Sequence, residues 1–155
     1  MTEAADAKAP DAKASAPFKM HVELGKIREF ARATKSHNPD YLEDENPVAP
    51  TTFLATAGFW MPEVATPAGD DGAGFERILH GGTEYTFYRP PPKAGTVLYV
   101  SSKPGPAWEK TGRRGGAMKF HEMIQEYRDE AGTLVAETRN TVIETEQAPT
   151  TEAGA

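Results

Sequence analysis

The first alternation of apolar and polar side chains sets Phe18, Met20 and Val22 against polar neighbours, and this period of two predicts a short half-buried strand. The period then lengthens. From Glu23 to Lys35, Leu24, Ile27, Phe30 and Ala31 fall on one face of a helix, with Lys26, Arg28, Glu29 and Arg32 on the other. Asn38-Pro39 ends this helical stretch, because the residue before a proline is pushed out of helical backbone angles. After an acidic loop over 42–46 and Pro50-Thr51-Thr52, the residues Phe53, Leu54, Ala55, Ala57, Phe59 and Trp60 are apolar nearly all round. That pattern predicts a helix buried on most sides, with proline in its first turn. The stretch 66–74 reads as a flexible loop, and its glycines match no phosphate-binding fingerprint.

The remainder predicts four strands, 76–89, 96–103, 117–128 and 133–145, rich in Tyr, Phe, Val, Thr and Ile. Asp129-Glu130-Ala131-Gly132 makes one hairpin connection and Gly112-Arg113-Arg114-Gly115-Gly116 another, so neighbouring strands pair antiparallel. The fold class that follows is α+β: a curled antiparallel sheet wrapped around one central helix.

Composition narrows the picture. Residues 1–16 and 147–155 have too little apolar surface to offset their ordering entropy, and are expected as disordered tails around one domain over 17–146. The 17 Lys+Arg against 23 Asp+Glu give a formal net charge of −6, which excludes a basic nucleic-acid binder. The absence of cysteine excludes a disulfide framework, a thiolate metal site and a cysteine nucleophile. His21, His37, His80 and His121 share no metal-ligand spacing, so no metal is expected. No apolar run has the length of an export signal or a membrane span, and the expected location is the cytoplasm.

Three local patterns together resemble a known family. Leu79-His80-Gly81-Gly82 is followed by Tyr85, Phe87, Arg89-Pro90 and Gly95; the Ile27, Phe30-Ala31 helix runs into Asn38-Pro39; and Val48-Ala49-Pro50 opens the buried helix. Over 17–146 this is similar to the MaoC-like hot-dog family, in its dehydratase N-terminal-type branch. The resemblance implies (R)-specific hydration of an enoyl thioester, or dehydration of a 3-hydroxyacyl thioester, with acyl-CoA or an acyl carrier protein thioester as substrate and no cofactor.

Active members of that family carry a Gly-Asp-x-Asn-Pro-x-His stretch, whose Asp and His move protons on and off the reacting carbons. Here the stretch is Lys35-Ser36-His37-Asn38-Pro39-Asp40-Tyr41, with Asn38-Pro39 kept and the two proton-transfer positions held by Ser36 and Tyr41. Neither side chain is a ready base near neutral pH. The resemblance therefore implies a non-catalytic, substrate-binding subunit, paired with a second hot-dog subunit that carries the Asp and His, in a dimer or higher oligomer. Substrate contacts are expected from Asn38, from the helix start at Pro50, Thr51, Thr52 and Phe53, from Phe59, Trp60 and Met61 along the helix, and from His80 and Gly81. Lys103, Lys110, Arg113 and Arg114 are candidates for the phosphates of coenzyme A or an acidic carrier surface. Two alternatives stand beside this reading: a self-sufficient enzyme, either a hydratase with a rewired site using His37, Asp40 or Tyr41 or a hot-dog thioesterase, and a thioester-binding protein with no catalysis.

Overall fold

The computed structural model describes residues 14–62, 77–111 and 116–146. The loop expected over 66–74, Arg113 and Arg114 in the expected hairpin, and the tails up to 13 and from 147 lie outside the described residues. The chain runs through strand β1 (Phe18–His21), helix α1 (Leu24–Ala33), the single-turn helix α2 (Pro39–Leu42), a 3-10 helix (Phe53–Trp60) and strands β2 (Ile78–Phe87), β3 (Val97–Thr111), β4 (Ala117–Arg128) and β5 (Leu134–Thr145). The strands form one antiparallel sheet in the order β1-β3-β4-β5-β2.

Met20 of β1, with Val22 just beyond it, turns inward to join Ile27 of α1 in the core, and these three and Ala31 are essentially inaccessible. Leu24, expected on the same stripe, is 37% exposed. It opens the helix, and a helical side chain leans over the turn preceding its own Cα, where no packed turn exists. At the other end Ser36 N–H donates to Ala31 O (2.8 Å) and Lys35 N–H to Arg32 O (2.9 Å), closing a Schellman motif whose left-handed position is Lys35 at φ 55°.

The central helix differs from its expectation. Its bonds run back three residues, from Ala55 N–H to Thr52 O and from Met61 N–H to Gly58 O, so it is a 3-10 helix caught between Pro50 and Pro62. With about three residues per turn, its side chains stack in rows three apart. Phe53 with Thr56, and Leu54 with Ala57, are buried, whereas Thr52, Ala55 and Gly58 form an exposed row. Phe59, expected inside, is 82% exposed and lies beside Lys26, whose Nζ is 5.8 Å from the ring centroid.

The core is built where the 3-10 helix and α1 meet β1 and the adjoining parts of β3, β4 and β5, around Phe53, Leu54, Leu98, Val100, Tyr127 and Ala136. Phe30 meets Phe53 edge-on, with ring centroids 5.7 Å apart. Strand β3 continues past its expected end at 103 to Thr111, with an irregularity between Pro104 and Ala107. Proline is tolerated there because β1 reaches only as far as Val100, leaving that side of β3 without a strand partner among the described residues. The β4–β5 connection turns at Gly132 (φ 81°), where Asp129 O accepts from Gly132 N–H and Asp129 Oδ1 from Thr133 N–H. Among the described residues no helix is long and apolar enough to cross a membrane.

Candidate functional site

The sheet is longer than the helix lying against it. Cross-strand register places Gln125, Thr138 and Tyr85 in one row of the helix-facing side, Asn140 and Thr83 in the next, and His121, Val142 and His80 in the third. Among the described residues only the end near Tyr127 is fully covered. Beyond it, the exposed row of the 3-10 helix, Ala55, Gly58 and Met61, faces His80, Thr83, Tyr85, Gln125, Tyr127, Thr138 and Asn140 across a cavity of about 310 Å³.

Two hydrogen-bond networks line this cavity. In the deeper one, the buried Tyr127 hydroxyl lies 3.2 Å from both Leu54 O and Gln125 Oε1, so its single proton is shared between two acceptors. Thr138 Oγ1 donates to Gln125 Oε1 (3.4 Å), and Gln125 Nε2 donates to Ser102 Oγ (3.3 Å). Burial above all pushes the Tyr127 phenol up to about 12, with the nearby Tyr85 adding to the rise and the Thr138 hydrogen bond opposing it. Burial raises Tyr85 as well.

The outer network starts at His80. Thr83 Oγ1 donates its only proton to Asn140 Oδ1 (2.7 Å), so its contact with His80 Nε2 (2.9 Å) makes the ring nitrogen the donor. In the neutral imidazole Nδ1 is then left as the acceptor. His80 is oriented by a β-bulge: register slips between His80 and Gly82, and a side chain on Gly81 would meet Thr141 Cγ2 at 3.0 Å and Ile143 at 3.1 Å.

Of the residues expected from sequence to touch substrate, His80 and Met61 line this cavity. Ser36 Oγ accepts from Asn38 N–H (3.3 Å), and Asn38 Oδ1 accepts from Asp40 N–H (3.0 Å), which caps α2. Tyr41 packs against the core; His37 and Asp40 are exposed, and their side chains make no hydrogen bond or ion pair among the described residues. Pro50 is buried, with its carbonyl accepting from Phe53 N–H (2.9 Å), while Thr51 and Thr52 are exposed ahead of the helix. Phe53 is sealed in the core, and Trp60 stands 5.1 Å from the His21 ring. Lys103 pairs with Glu126 (2.6 Å), which Arg128 also holds (2.8 Å); these two cations keep the Glu126 carboxyl below its usual range. Lys110 lies 5.4 Å from the centroid of the Phe120 ring, which is stacked on Trp108. Both lysines pair with β4 residues that point away from the cavity side.

The cavity residues that sequence reasoning missed, chiefly Gln125, Thr138 and Asn140, lie on the hairpin strands β4 and β5 and meet residues of β2 far back in the chain, Asn140 being 57 residues from Thr83. A signal was present: Thr83 and Tyr85, Gln125 and Tyr127, and Thr138 and Asn140 are polar-capable pairs two apart in their strands, and so the members of each pair share one face.

Comparison with known proteins places this geometry. The HadBC (3R-hydroxyacyl-ACP dehydratase) complex of Mycobacterium tuberculosis, solved in a C-terminally truncated form, is similar with a TM-score of 0.67 at 21% identity, covering 86% of this chain and 98% of that one. The ChsH1-ChsH2 complex of the same organism gives 0.64 at 19%, covering 90% and 86%. A MaoC-like dehydratase of Phytophthora capsici gives 0.66 at 17%, covering 87% of this chain but only 48% of that longer one. A search of curated protein sequences returns no match. The family model described as FAS1-like, dehydratase domain region matches residues 12–138. With that match spanning most of the chain and a curled antiparallel sheet around a short helix, the protein belongs to the FAS1-like dehydratase-region family and has the MaoC-like hot-dog fold.

Proposed function

We propose that the chain is the substrate-binding, non-catalytic subunit of a heteromeric (R)-specific enoyl-thioester hydratase or 3-hydroxyacyl-thioester dehydratase, acting in the cytoplasm on acyl-CoA or acyl carrier thioesters of fatty-acid, polyketide or steroid side-chain metabolism. One observation carries this reading. At the two proton-transfer positions of the family stretch, Ser36 is taken up by the Asn38 backbone and Tyr41 is packed on the core. Adding or removing water needs one group that accepts a proton and one that donates it, and neither position offers such a pair.

The two edges of the sheet support a partner. On the β3 side, the stretch that β1 leaves uncovered carries Pro104 and Pro106 and an irregular register, features that blunt an edge. The β2 edge has ten residues, no proline and one charge, Glu84, which leaves it open to a further strand. HadBC and ChsH1-ChsH2 are themselves complexes.

The test is hydration of crotonyl-CoA followed by loss of enoyl absorbance, first on the pure chain and then with a second hot-dog chain bearing Asp and His. Turnover is expected only from the pair. Robust turnover by the pure chain overturns the reading and returns attention to His37, Asp40 and Tyr41.

A further inference from the structure

We propose that the cavity between the 3-10 helix and strands β2, β4 and β5 is a polar subsite, which receives a hydroxyl- or carbonyl-bearing part of the ligand rather than plain alkyl chain. The inference rests on the thioester-binding reading above and names what that ligand must carry.

In the outer network Asn140 uses Oδ1 and leaves both amide N–H groups without a partner among the described residues. His80 uses Nε2 and leaves Nδ1 as an acceptor. The Tyr85 hydroxyl has no partner among the described residues. Two donor groups, the Asn140 amide and the Tyr85 hydroxyl, and one acceptor, His80 Nδ1, from three successive rows of two neighbouring strands, therefore open on one cavity. Polar groups that open on solvent in this way are hydrated in water. An oxygen-bearing group can replace that water, since a hydroxyl both accepts and donates and a carbonyl accepts from two donors. An alkyl chain seated there would strip the water and leave all three unpaired, which is how a site built for a polar group rejects its apolar analogue. The opposite wall adds shape: Ala55 and Gly58 are small, and the roughly 310 Å³ lies at the low end of ligand pockets, so the group is compact.

The oxygen has two possible sources, the acyl group itself or the amides of the pantetheine arm. Binding of free CoA, hexanoyl-CoA and 6-hydroxyhexanoyl-CoA to the full chain, by calorimetry with amide-resolved NMR to locate the contact, separates them. If the acyl group supplies the oxygen, the hydroxylated thioester binds about tenfold tighter than hexanoyl-CoA, and Tyr85→Phe and Asn140→Leu bring that ratio towards one. If the arm supplies it, all three bind alike and both variants weaken all three about equally. Tyr85→Phe changes no shape, so it carries the test should Asn140→Leu fail to fold. Hexanoyl-CoA binding as tightly as its hydroxylated analogue, with neither variant affecting any of the three, overturns the inference and leaves thioester binding intact. Failure of all three to bind is a different result: the thioester reading falls, and the subsite with it.

Discussion

At position 35 a lysine holds φ 55°, the left-handed region where a Cβ crowds the following carbonyl. The active-family stretch has glycine at this place, so the backbone turn has been kept while the residue best suited to it has gone. Lys35→Gly is expected to stabilise the chain by roughly 0.5–1 kcal/mol, the relieved strain exceeding the added backbone entropy. Urea denaturation reads it as a higher midpoint with unchanged slope. Tyr127 makes a second residue-scale case. Its phenol ionises near 10.0 when free and at about 12 when buried, so as pH rises the unfolded chain loses this proton first. The stabilisation is whole below pH 10 and is lost as pH climbs to about 12, an amount on the order of 2–3 kcal/mol. Tyr127→Phe should flatten this alkaline limb in denaturation curves, and should cost about 1–2 kcal/mol at neutral pH by leaving Leu54 O and Gln125 short of a donor.

The 3-10 helix shows where pattern reading stopped. Six apolar residues in eight gave no face to choose, so burial on most sides was the natural expectation, and only the tighter turn explains why Ala55 and Gly58 open on a cavity while Ala57 is 1% exposed. Substitutions on adjacent residues should therefore have opposite signs. Gly58→Ala, with nothing within 4 Å of the added carbon, is expected to stabilise by about 0.5–1 kcal/mol, whereas Ala57→Leu should destabilise by roughly 1–3 kcal/mol. Thermal melts of the pair check this; equal signs would mean the rows are wrongly assigned. The strands were far more legible. β4 and β5 match their expected spans almost to the residue, because a charged, glycine-closed turn separates two unambiguous alternations. β3 was cut short at Pro104, since proline reads as a strand end unless one knows that the strand lies at an edge. The candidate site was the least legible part: Thr83 and Asn140 sit 57 residues apart, and nothing local announces that Asn140 receives the Thr83 proton.

For the molecule as a whole, the uneven edges make a directional expectation. In hydrogen–deuterium exchange, β2 amides that do not bond to β5 should exchange quickly in the isolated chain and become protected once a catalytic partner is added, with residues 107–111 of β3 unchanged. Protection appearing on 107–111 instead would place the partner on the other edge. The sheet order bears also on how the chain is made. Among the described residues β2 has a single strand neighbour, β5, the last of the five strands in chain order, and the Thr83–Asn140 pair must wait for 57 further residues, about 3–11 s at roughly 5–20 residues per second. Through that interval β2 is a strand without a sheet. A nascent chain stalled before β5 therefore carries an adhesive segment, and the rate at which the ribosome clears β5 bears on the yield of soluble protein as directly as any contact in the finished fold.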